Sequence, residues 1–130
     1  MIGSWDAAVK LVYVRDCSGS VAVDTVSNGD PFEVVAQIRI GHSLMQVVSR
    51  CDLLVAVRNL SRSSVLSWQQ RSYALAPQDA PLHHRLEVPF DAGWNADDGD
   101  VLEVIATFKV TAGLHRSYSL AGSTPFVVAG

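Results

Sequence analysis

The sequence predicts an all-β protein, an antiparallel sandwich of about seven to nine short strands. Three observations carry that prediction. The first is the stretch Asp97 to Thr111, DDGDVLEVIATFKVT. Read with period two, it puts Leu102, Val104, Ala106, Phe108 and Val110 on one side and Val101, Glu103, Ile105, Thr107, Lys109 and Thr111 on the other. One face is wholly apolar and the other mixed, the signature of a half-buried strand. The second is spacing, since such runs recur about every ten residues between Gly, Pro, Asn and Asp turn signals. The third is that no segment sustains an apolar stripe at helical spacing.

Asp6 to Asp16 opens the pattern as an edge strand, with Val9, Leu11 and Tyr13 alternating against Lys10, Val12 and Val14. Val21 to Val26 reads as a short strand, or a continuation into the other sheet, and Asn28-Gly29 turns the chain. Phe32, Val34, Ala36, Ile38 and Ile40 then form an inner face, with Glu33, Gln37 and Arg39 outside. His42 to Arg50 is expected as a loop or short strand, although the spacing of Leu44, Met45, Val47 and Val48 also suits a helical turn. Leu53, Val55 and Val57 alternate with Leu54, Ala56 and Arg58 in a nearly all-apolar run, as in a central strand covered on both faces. Val65 to Leu75 sets Leu66 and Trp68 against Gln69 and Arg71, and the prolines of Ala76 to Pro81 mark a loop. His84, Leu86, Val88 and Phe90 oppose His83, Arg85 and Glu87. Beyond Asp97 to Thr111, an extended His115 to Leu120 and a terminal Phe126-Val127-Val128 complete the set.

The segment GDPFEVVAQIRI, starting at Gly29, is echoed by GDVLEVIATFKV, starting at Gly99. The plain reading is two strands with the same task, an apolar inner face and a Glu/basic outer face after a Gly-Asp turn; the other reading is an ancestral duplication. The sequences that follow do not align, which excludes a solenoid. Facing inner surfaces in opposite sheets are expected of the pair, because apposed apolar faces contribute several-fold more than exposed Glu–Lys and Glu–Arg pairs within one sheet. On that view Glu33 is a solvated residue whose charge matters little.

The 130 residues fit a single domain spanning 1–130, long enough to bury a real core. Hydrophobic residues make up 48% and charged residues 18%. So little charge implies that some apolar surface serves a partner. The net charge of −3, with basic residues scattered singly, offers no phosphate-tracking stripe, so nucleic acid is not expected. The opening MIGSWDAAVK lacks the order of a secretory signal, and no stretch reaches the roughly 18 apolar residues of a membrane span. The expectation is a soluble chain whose localisation is left open: cytoplasmic, or virion- or assembly-associated, if the chain is complete. Cys17 and Cys51 form neither a CxxC pair nor an evident metal set, and free thiols are expected, with a disulfide between them as the alternative.

The DDGDVLEV approach to its strand resembles the corner before strand F of immunoglobulin-like sandwiches, an Asp-x-Gly turn followed by a Tyr and then a Cys. Here Leu102 stands in the place of the Tyr and Val104 in that of the Cys, while the echo segment would be strand B with Val34 in place of its Cys. Covering Val21 to Val128, the resemblance implies a disulfide-free immunoglobulin-like module of the bacterial or phage kind; a jelly roll is the alternative. Fold resemblance alone says little about function.

Signatures of hydrolases, nucleotide-binding loops, zinc proteases, dinucleotide folds and EF-hands are missing from the sequence. His83 and His84 are adjacent on a strand and so point to opposite faces. No enzyme activity, cofactor or metal is expected. The loop Asp91 to Asp98 joins carboxylates to an aromatic residue. Read plainly, it is a solvated loop whose Trp caps the core; functionally, an exposed Trp fills a partner's pocket or stacks on a sugar, and its oxygens suit Ca²⁺ as a lesser alternative. Asp91, Trp94, Asn95, Asp97 and Asp98 are the candidate partner-binding residues, with weaker claims for Trp5 and Trp68. A non-enzymatic structural or protein-interaction module, part of a homo-oligomer or larger assembly, is the function expected. A carbohydrate-binding sandwich using Trp94 or Trp68 is the alternative.

Overall fold

The computed structural model describes residues 3–17, 19 and 21–130. Among the described residues nine strands and one helical turn follow in order: β1 (Ala7–Asp16), β2 (Thr25–Ser27), β3 (Phe32–Ile40), α1 (His42–Met45), β4 (Arg50–Asn59), β5 (Ser64–Ala74), β6 (Leu82–Phe90), β7 (Val101–Ala112), β8 (His115–Gly122) and β9 (Phe126–Ala129). They form two stacked sheets. The smaller has the order β1-β3-β6; the larger runs β2-β9-β7-β4-β5, with β8 beside the far half of β7. β8 and β9 together form the return arm of one long hairpin with β7, jogged at residues 123–125. Its turn is Gly113-Leu114, with positive φ at the glycine as a two-residue hairpin of this kind requires.

This is immunoglobulin-like order rather than a jelly roll: the first strand divides between the sheets as β1 and β2, and β3 and β7 hold the places of strands B and F. The two echo strands therefore lie in opposite sheets. Their inner residues, Val34, Ala36 and Ile38 against Val104, Ala106 and Phe108, are all buried in one core cluster. No Cys pair spans them, and the positions of a bridge are filled by Val34 and Val104.

Several expectations need correction. β1 does not alternate evenly. A bulge between Val9 and Leu11 makes Lys10 the extra residue, so Val9, Val12 and Val14 point inward and Leu11 and Tyr13 outward. The chain after Gly41 is a helical turn rather than a loop or strand, with Leu44 and Met45 buried beneath it. β2 lies parallel to β9, a departure from the all-antiparallel expectation. β4 is central, but among the described residues no further layer lies over its outer face, where Leu54 is exposed and Ala56 half-buried.

The sandwich has two unlike sides. On one, the amides of Ala7 and Val9 in β1 donate to the hydroxyls of Ser117 and Ser119 in β8, closing the sheets together. On the other, β5 and β6 leave a cleft of about 280 Å³ walled by Ile38, Cys51, Tyr73, Leu75, Leu82 and Leu86.

Candidate functional site

The outer face of the larger sheet is the most unusual surface. The pairings set Trp68 beside Ala56, Ile105 and Gly122, and Gln70 beside Leu54, Thr107 and Leu120. Tyr118 lies beside Lys109 in the next row. Trp68 is 61% exposed, Tyr118 64% and Leu120 68%, with Leu54 also exposed. With strands ~4.8 Å apart and same-face residues ~7 Å apart, these rows cover on the order of 300 Å², the size at which a surface patch is often functional. β8 shows how the patch is made. Its small residues, Ser117 and Ser119, face inward, so Tyr118 and Leu120 must face solvent.

One edge of the patch is polar. Asp52 is buried there, accepting hydrogen bonds from Arg50 (2.6 Å) and Ser72 (2.6 Å). Burial disfavours its charge, but Arg50, Ser72 and the nearby Lys109 outweigh it and hold its pKa below the usual carboxylate value. Its Oδ2 has no hydrogen-bond donor; Lys109 Nζ at 3.8 Å reaches it as an ion pair only.

The candidate residues Asp91, Trp94, Asn95, Asp97 and Asp98 do gather at one end of the sandwich, below β6 and β7. Trp94 sits edge-on to Phe32, which stacks on Phe90 and meets Phe126, and its Nε1 donates to the Asp30 carbonyl at 2.7 Å. Asp97 pairs with Arg62, and Asp98 accepts from the Gly130 amide. Asp91 and Asn95 are exposed. Behind them Asp100 is buried and accepts from Asn59 (2.9 Å), Arg62 (3.2 Å) and the Asp97 amide (3.0 Å). The acidic turn is thus a clasp joining the loop after β4 to the start of β7. Among the described residues no three His, Cys, Asp or Glu side chains are grouped to hold a metal.

The other singled-out residues are dispersed. His83 faces outward, while His84 turns toward the β5–β6 cleft. Cys17 follows β1 and Cys51 begins β4, at opposite ends of the sandwich and far beyond the ~7 Å reach of a disulfide. Burial first, then the neighbouring Asp52, pushes the Cys51 thiol up to about 11, so it stays protonated and a poor nucleophile at neutral pH. The sequence did single out Trp68. It missed Leu54, Tyr118 and Leu120, for which the signal was the inverted Ser-in, Tyr/Leu-out alternation of β8.

No known protein family matches the chain, and no curated protein is similar to it. Among solved structures it is similar to part of a Bacteroides fragilis protein described as a β-galactosidase, at 11% identity over 92% of this chain with a TM-score of 0.56. A glycosyl hydrolase family 2 member from Bacteroides cellulosilyticus matches at 11% identity over 89% of this chain, with a TM-score of 0.49. The chain spans 17% and 15% of those proteins' lengths. The likeness supports a generic β-sandwich fold.

Proposed function

We propose that this chain is a non-enzymatic protein-interaction module that docks through the outer face of its larger sheet. The observation that carries this reading is the uncovered patch of Leu54, Trp68, Ile105, Tyr118 and Leu120 on a sandwich whose own core is complete. Aromatic and large aliphatic residues on a flat, rigid face supply binding area at little entropic cost. The buried charge cluster at Asp52 fixes one edge of the patch and gives it polarity.

The test is the double variant Trp68→Glu/Leu120→Glu, which leaves the core untouched. Wild type should recover a partner or its own copies in pull-downs, and the variant should lose at least tenfold in affinity while melting at an unchanged temperature. If wild type captures nothing, the reading fails. If oligosaccharides quench the Trp68 fluorescence instead, the carbohydrate-binding alternative, which would use the same exposed indole, takes its place.

A further inference from the structure

The outer face of the smaller sheet is divided. Near Phe32, Arg15 takes up two carboxylates, Glu33 at 2.8 Å and Glu87 at 2.9 Å. Toward α1 the pairings gather cations instead: Gln37 of β3 lies between Leu11 of β1 and Arg85 of β6, and Arg39 lies between Ala8 and His83. Lys10 joins them through the β1 bulge, which makes it the extra residue and leaves it exposed beside Leu11. Bulges commonly re-aim a side chain in this way.

Lys10, Gln37, His83 and Arg85, all exposed, line a depression of about 260 Å³, with Ile38 and His84 completing its wall. That is below the roughly 300–1,000 Å³ of a site for a drug-sized ligand. β1 and β6 flank β3 at two strand spacings, about 10 Å apart, so side chains as long as Lys10 and Arg85 can close on one small ion above Gln37. Among the described residues no ion pair reaches Lys10 or Arg39, and Arg39 Nε is buried without an acceptor. The nearest carboxylates along these strands are engaged: Glu87 holds Arg15 and stands 3.6 Å from Arg85, and Asp6, just before β1, accepts from the Gly3 amide at 3.1 Å. Among the described residues no acidic side chain lines the depression itself.

We infer that this depression binds a single tetrahedral oxyanion, a phosphate or sulfate group. Lys10, Arg39 and Arg85 are three cations met only by a carboxylate that Arg15 already holds, on a chain whose net charge is −3. The local field therefore favours an anion against the sign of the whole molecule. A guanidinium fork, an ammonium, an amide and an imidazole present donors from three strands, which suits the four oxygens of a tetrahedral ion better than a flat carboxylate. The site lies on the opposite sheet from the docking face proposed above and does not depend on that reading.

The test follows backbone amide shifts of the wild type during titration with sodium phosphate, sodium sulfate or glucose 6-phosphate at fixed ionic strength. Residues 10, 37, 83 and 85 should shift and saturate in the millimolar range expected of a solvent-open charged site. Lys10→Gln/Arg85→Gln should weaken binding about tenfold or more at an unchanged melting temperature, and Lys10→Gln alone, at an exposed bulge, about threefold. Glucose 6-phosphate binding as well as phosphate supports an esterified group as the ligand; binding of the inorganic ions alone supports the free ion. Trp68→Glu/Leu120→Glu should bind phosphate as wild type does, which separates failure of the sheet-face reading from failure of this one. Shifts no larger than sodium chloride produces, acetate binding as tightly as phosphate, or a double variant that binds like wild type would each overturn the inference.

Discussion

β3 and β7 begin from nearly the same sequence and end with opposite outer faces. Inside, they are equivalent. Outside, Glu33 of β3 accepts from Arg15 at 2.8 Å, Glu87 holds the same guanidinium at 2.9 Å, and Val35 beside them is fully buried. On β7, Glu103 lies opposite Arg58 without an ion pair among the described residues, and Ile105 sits in the uncovered patch. Around Arg15 the smaller sheet thus fills its own outer face, while the larger leaves Trp68, Tyr118 and Leu120 exposed. A strand's sequence sets which side is apolar; its neighbours decide whether the other side is finished.

The largest effect should come from the shared inner faces. Phe108→Ala should cost about 3–5 kcal/mol, and Ile38→Ala, its echo position, about 2–5, read as the shift in denaturant midpoint. If only one of the two is costly, the strands are not equivalent inside. Next come the echo turns. Asp100→Ala strands three donors and should cost about 2–3 kcal/mol, whereas Asp30→Ala, exposed at the matching place, should be close to neutral. Equal losses would show that the clasp is not particular to β7.

Smaller again is the Glu pair. Glu33→Gln should lower the melting temperature measurably because Arg15 is buried and needs its partners, while Glu103→Gln should leave it unmoved. The sequence reading of Glu33 as dispensable is corrected by that contact. The smallest effect should be at Asp52. Its pKa is lower in the folded chain than in the unfolded one, so its contribution is present above the ordinary carboxylate value and lost as pH falls through the depressed one. Acid melting curves of Asp52→Asn should be flatter in that window than those of wild type. Parallel curves would mean that Arg50 and Ser72 do not hold the charged form.

Inner faces were legible because burial imposes a period that residues display directly, as along β7 and from His84 to Phe90. The phase of β1 was not, since Leu11 and Tyr13 are as apolar as the valines and only pairing with β3 reveals Lys10 as extra. Nor was the bareness of β4, because Leu54 and Ala56 look buried until one asks what would cover them. Trp94 could be placed in a loop from sequence; its contact with Phe32, some sixty residues away, depends on topology.

The bulge in β1 also makes one residue spare. With Lys10 removed, Val9 would still face inward, Leu11 would fall directly into the outward place opposite Gln37, and Val12 and Val14 would keep their positions against β3. Loss of any single residue between Leu11 and Val14 would instead turn part of the strand over, driving valine into water or Tyr13 into the core. A gene carrying this sandwich can therefore shorten its first strand by one codon at Lys10 and still encode the same packing, a freedom that the evenly paired β3 does not have.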